Sequence, residues 1–207
     1  MTPLLPALLI GLTRLLVGAH AAWEGCAPVP RQRIYFANHA SHLDTLVIAA
    51  ALPQPLRRHA HPVAALDYWG RTPWRRRLAA GLGAVLIDRS GQSPTAAAEP
   101  MARMLEAGES LILFPEGTRG DGTVGPFRSG LYHLARRFPA VELIPVHLEN
   151  LHRIMPRGAL LPLPLLCTAR FGAPVPGPAG DEAKQAFLAR ARDALLALGQ
   201  ERREALA

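Results

Sequence analysis

Arg33-Ile34-Tyr35-Phe36-Ala37-Asn38-His39-Ala40-Ser41-His42-Leu43-Asp44 runs from an apolar stretch into a cluster of polar side chains, and apolar residues resume up to Leu52, just before Pro53. Arg33 to Phe36 reads as a strand, and the spacing from about His42 to Leu52 reads as a helix that Pro53 stops. A strand end followed by a helix start is a place where polar side chains gather at a cleft.

Outward from this stretch the same alternation continues. After a charged segment from Arg57 to Arg77, Val85 to Ile87 reads as a strand. Ser93 is placed to cap a helix with Pro94 in its first turn, and Gly108 stands where that helix stops. Leu111 to Phe114 is a further strand, Gly130 to Phe138 a helix, and Val141 to Val146 a strand, with one more strand expected within Leu165 to Phe171. Asp181 to Leu206 sets Ala183, Phe187, Ala194, Leu195 and Leu198 among charges, as a terminal amphipathic helix does. This order predicts an α/β fold: a single domain over residues 25–207 with a mixed, largely parallel sheet flanked by helices. The length of 207 residues and the 49% hydrophobic content suit one core.

Residues 1–24 form an apolar segment, broken by Thr13, Arg14 and His20. Its length approaches the roughly 20 residues of a membrane-spanning helix. Arg14 would lie near the middle of such a span at a cost of about 2.5–3.5 kcal/mol, whereas in a helix lying on the bilayer it can point toward headgroups. A membrane-associating helix, peripheral or monotopic, is therefore expected. A signal peptide and a buried first helix of the core are the alternatives. The net charge of +7 favours polyanionic partners. Cys26 and Cys167 show no metal-site or redox spacing, in keeping with a reducing cytoplasm.

The chemistry starts at His39. Removing a proton from an attacking alcohol near neutral pH suits an imidazole, whose ordinary pKa is about 6.5. Asp44, five residues on, can fold back onto the ring and fix its tautomer. The competing reading makes Ser41 and Asp44 a capping box and His39 the end of a strand. His42 is a rival base, and with His39 and Asp44 it could form a metal cluster, but no established metal motif is present. Ser41 as a covalent nucleophile would lack a Gly-x-Ser-x-Gly elbow.

Two further segments follow apolar strands: Gly83-Ala84-Val85-Leu86-Ile87-Asp88-Arg89 and Phe114-Pro115-Glu116-Gly117-Thr118-Arg119. Both place a carboxylate beside a guanidinium able to fork onto phosphate. Asn-His-x-Ser-x-x-Asp, Gly-x-x-x-Ile-Asp-Arg and Phe-Pro-Glu-Gly-Thr-Arg, in this order, resemble the lysophosphatidic acid acyltransferase family. Phe127-Arg128-Ser129-Gly130 and Leu143-Ile144-Pro145-Val146 agree with it, so the resemblance spans about residues 31–175.

The resemblance implies that His39 and Asp44 are the catalytic pair. It also implies that Arg89, Glu116, Gly117, Thr118 and Arg119 hold the phosphate and glycerol of a lysophospholipid acceptor. The expected donor is acyl-CoA or acyl carrier protein as co-substrate, with no metal and no bound cofactor, and backbone amides near Glu116 are expected to meet the oxyanion. Gly120, Arg128 and a short apolar amino terminus depart from the family pattern.

Trp74, Arg75, Arg76 and Arg77 lie in the densest basic and aromatic stretch, with Arg57, Arg58, Tyr68, Trp69 and Arg71, and suit membrane lipid headgroups or donor phosphates. A solvated helix face is the bland alternative. No nucleic-acid-binding pattern is present. Gly120 to Gly125 fits Gly-x-Gly-x-x-Gly, but Pro126 follows where a helix should open. The expected location is the cytoplasmic face of the cell membrane.

Overall fold

Strand β2 (Arg33–Ala37) is buried along its whole length, and its alternating side chains reach two separate cores. Ile34 and Phe36 enter one, Tyr35 and Ala37 the other. This is the signature of a central parallel strand covered on both faces. In the computed structural model, which describes residues 4–41, 43–88, 94–120, 123–149 and 167–205, β2 lies at the middle of a seven-stranded sheet.

The other strands are β1 (His20–Trp23), β3 (Ala60–Ala65), β4 (Val85–Ile87), β5 (Ser110–Leu113), β6 (Glu142–Leu148) and β7 (Thr168–Phe171), in the order β1-β7-β6-β2-β5-β3-β4. From β6 to β4 all neighbours are parallel, whereas β7 runs antiparallel to β6 and β1 runs parallel to β7. The expected mixed, largely parallel sheet is present. The helices are α1 (Leu4–Val17), α2 (Asp44–Ala51), α3 (Gln54–Arg57), α4 (Leu66–Trp69), α5 (Pro73–Gly81), α6 (Pro94–Glu106), α7 (Gly130–Arg137) and α8 (Lys184–Ala205). Residues of α6, α7 and α8, among them Met101, Leu131 and Phe187, fill the Ile34/Phe36 core. Val17 of α1 and Val47 and Ile48 of α2 fill the Tyr35/Ala37 core. Each large apolar side chain fully buried there contributes about 1.5–3 kcal/mol.

Three expectations change. The apolar amino-terminal stretch is not one helix: α1 ends at Val17, and His20 to Trp23 form a strand of the sheet, with the Trp23 ring stacked 4.1 Å from that of Phe171. Arg14 does not reach for headgroups, because its guanidinium donates to Ala50 O at 2.9 and 2.7 Å, where the last carbonyls of α2 lack helical partners. The charged segment from Arg57 to Arg77 conceals β3. Its first three residues pair with β5 and its last three with β4, and Pro62 stands at the changeover, where its missing N–H does little harm. Gly108 ends α6 as expected, at φ +82°, with its N–H on Leu105 O. Ser93 lies outside the described residues. None of the described helices is long and apolar enough to cross a membrane.

Candidate active site

The carboxyl ends of β2, β4 and β5 all point to one edge of the sheet, the usual crevice of open parallel sheets. His39 lies just beyond β2, Asp88 just beyond β4, and Phe114 to Arg119 just beyond β5. The three motifs, far apart in sequence, therefore share one edge.

Asp44 begins α2 and is fully buried. A single oxygen, Oδ2, accepts His39 Nδ1 at 2.8 Å, Ala40 N–H at 2.7 Å and Ser41 N–H at 3.0 Å. Only part of the capping-box reading forms: the carboxylate accepts the Ser41 N–H, but the N-cap of α2 is Leu43, with no side-chain cap hydrogen bond, and the same carboxylate holds the imidazole. With Nδ1–H donating to Asp44, a neutral His39 carries its lone pair on Nε2, the form a general base requires. Ser41 is buried, and its hydroxyl oxygen accepts Leu43 N–H at 3.1 Å.

His39 is held from other directions as well. Its ring stacks on Phe114, with centroids 4.4 Å apart and planes 24° apart. Its N–H donates to Glu116 Oε1 at 2.8 Å, and its carbonyl accepts Gly120 N–H at 2.8 Å. The side chain remains 23% exposed, so the ring is fixed without being sealed from the crevice. Asn38, the preceding residue, extends the sheet beyond β2: its side-chain amide donates to Leu148 O at 3.1 Å and accepts Leu148 N–H at 2.8 Å. The thiol of Cys167 donates to Glu149 O at 3.2 Å. Burial first, and then the Asp44 charge, push this thiol up to about 12, so it is no nucleophile near neutrality.

The Phe114–Gly117 turn is closed by Gly117 N–H on Phe114 O at 3.0 Å, with Gly117 at φ +72°. The amides of Gly117 and Gly120 are therefore already engaged and drop out as oxyanion donors. A Cβ at Gly117 would stand 2.5 Å from Arg128 Nε, which itself donates to Glu116 O at 3.1 Å. Gly117→Ala is expected to cost about 1–2 kcal/mol from the left-handed backbone alone, more if Arg128 is displaced. A thermal-unfolding midpoint unchanged from wild type would show that the turn adapts freely.

Thr118 is exposed at the rim. Arg119 is half-buried, with its guanidinium 6.0 Å from the Tyr68 ring of α4. That ring also carries Arg75 at 4.3 Å, which places the basic and aromatic patch against the third motif. Within the patch, Arg75 donates to Tyr68 O and Arg76 to Gly70 O, whereas Trp74, 60% exposed, and Arg77 face outward. Arg89 and His42 lie outside the described residues. Among those described, no group of three or more His, Cys, Asp or Glu could hold a metal ion. The structure thus groups His39, Asp44, Glu116 and Gly117 and leaves Thr118 and Arg119 at the rim. Sequence reasoning assigned no individual role to Asn38 or Phe114, although both stand inside the motifs that it singled out, and it weighed Gly125 only within the Gly-x-Gly-x-x-Gly stretch.

A model of the acyltransferase family matches residues 24–149. A 1-acyl-sn-glycerol-3-phosphate acyltransferase of Limnanthes alba is 30% identical over 170 residues, covering 80% of this chain and 58% of the relative. The 1-acyl-sn-glycerol-3-phosphate acyltransferase alpha of Mus musculus is 28% identical over 147 residues, covering 69% of this chain and 50% of the relative. The chain therefore spans 50–58% of the length of these curated relatives. The crystal structure of the 1-acyl-sn-glycerophosphate acyltransferase PlsC of Thermotoga maritima shares the fold, with a TM-score of 0.72 and 18% identity over 97% of this chain and 79% of that one. With the family model covering more than half its length, and with such relatives, this chain belongs to the acyltransferase family.

Proposed function

We propose that this chain transfers a fatty acyl group from an acyl thioester, acyl-CoA or acyl carrier protein, to the free hydroxyl of lysophosphatidic acid or a related lysolipid, giving phosphatidic acid for phospholipid synthesis. The observation that carries this reading is the 2.8 Å contact between His39 Nδ1 and the buried Asp44 carboxylate. His39 Nε2 takes the proton of the acceptor hydroxyl as its oxygen bonds to the thioester carbon. Asp44 stabilises the imidazolium, the C–S bond breaks, and the proton passes to the leaving thiolate. The residues that would hold the acceptor are Arg89, Gly117, Thr118 and Arg119, the guanidiniums gripping its phosphate. No resident cofactor enters this chemistry.

The setting we infer is the cytoplasmic face of the cell membrane, with the chain held peripherally or monotopically. Leu8, Leu12, Leu15 and Leu16 support it: they recur at helical spacing on α1 and are exposed. Trp74 and Arg77 add an aromatic and basic surface suited to headgroups or to donor phosphates.

The test is product analysis with purified protein in liposomes, given lysophosphatidic acid and either donor. Phosphatidic acid is the expected product. Free fatty acid with no acylated lipid would sink the transferase reading, and acylation confined to another lysolipid would move the acceptor assignment.

A further inference from the structure

Glu116 sits where an acceptor contact is expected, yet its carboxylate faces the protein. Oε1 accepts the His39 backbone N–H and Oε2 that of Gly125, both at 2.8 Å, and the residue is only 8% exposed. These bonds tie together the end of β2, the Phe114–Gly117 turn and the loop before α7. The His39 peptide is thereby gripped on both sides, by the Glu116 carboxylate at N–H and by Gly120 N–H at C=O. A carboxylate is also a poor neighbour for a phosphate, since like charges repel.

We propose that Glu116 is a positioning residue: it holds the His39 backbone so that the imidazole meets both Asp44 and the reacting hydroxyl, and it does not bind the acceptor. Hydrogen bonds from backbone N–H groups to a buried carboxylate are among the strong ones, which suits it to this task. Glutamine in its place offers one oxygen to two donors, so one amide must face an NH2 group. The His39 loop then loosens, and small misplacements of a base are costly in rate.

The inference rests on His39 being the base, and the test keeps the two ideas separable. For Glu116→Gln, kcat is expected to fall by roughly 10- to 100-fold, with KM for the lysolipid unchanged. Independently of any turnover, the ¹⁵N–¹H signal of the His39 amide should shift upfield and its hydrogen exchange quicken, reporting loss of the bond to a charged acceptor. If KM rises while kcat and the His39 amide signal stay as in wild type, Glu116 is an acceptor contact and the proposal is overturned. If the chain acylates no lysolipid at all, the functional reading fails, yet the amide signal still decides what Glu116 holds. Should the glutamine variant not fold, Glu116→Asp keeps the charge but cannot span both amides, and the same two measurements apply.

Discussion

On the proposed mechanism, His39→Ala is expected to lower kcat for acyl transfer by about 10²- to 10⁴-fold, the usual contribution of a positioned general base. The protein should stay folded, because Asp44 Oδ2 keeps the Ala40 and Ser41 amides when the imidazole is gone. Asp44→Asn separates charge from geometry. All three donors converge on one oxygen, so an amide oxygen in that place retains the hydrogen bonds while losing the charge that stabilises imidazolium. A large fall in kcat with a near-native unfolding midpoint is expected. Asp44→Ala instead orphans buried backbone donors, each costing about 1–3 kcal/mol, and should weaken the fold as well. Initial rates at saturating lysolipid and donor check both positions. A fully active His39→Ala protein would show that another group removes the proton.

Glu142→Ala should destabilise the fold by about 1.5–3 kcal/mol, the range for a hydrogen bond to a charged group, because the pair is only partly buried, with Glu142 20% exposed. Its partner Arg33 is only 2% exposed and donates to Glu142 Oε2 at 2.9 Å, directly across the β2–β6 ladder, with a second bond to Ala27 O at 2.9 Å. Arg31 adds a bond to Oε1 at 2.6 Å, but it is largely solvent-exposed and contributes little. Denaturant unfolding measures the loss. A change below about 1 kcal/mol, the level of an exposed pair, would mean that the Arg33 charge finds water when Glu142 is removed.

The same pair sets an acid limit on stability. Burial opposes ionisation of Glu142, but the hydrogen bonds from Arg31 and Arg33 outweigh it and hold the carboxyl below its ordinary range. A carboxyl whose folded pKa lies below its unfolded one contributes fully above the unfolded value, about 4.3 for glutamate. That contribution is lost as pH falls through the folded value. Wild type should therefore lose stability below about pH 4.3, and Glu142→Ala should lose less over the same window.

What depends on neighbours along the chain was legible in the order of residues. Apolar runs at Arg33 to Phe36 and Leu111 to Phe114 marked strands, because a chain buried on both faces has little room for polar residues. Glycine at 108 marked a helix end, because few other residues adopt a positive φ there. The spacing of His39 and Asp44 sufficed to suggest a base and its partner, since five residues at a helix start lie within reach of one hydrogen bond. Tertiary structure alone decided what depends on distant segments. Ala60 to Ala65 carries small side chains, a histidine and a proline, and becomes a strand only because β5 and β4 each offer half a ladder. Arg14 turns inward because the end of α2 presents unbonded carbonyls, which no local pattern announces. Glu116 and Phe114 reach His39 across sequence separations of 77 and 75, a proximity set by β2 and β5 being hydrogen-bonded neighbours. Hydrophobic period and spacing are local quantities, whereas the grip on the His39 imidazole is made where the sheet closes distance.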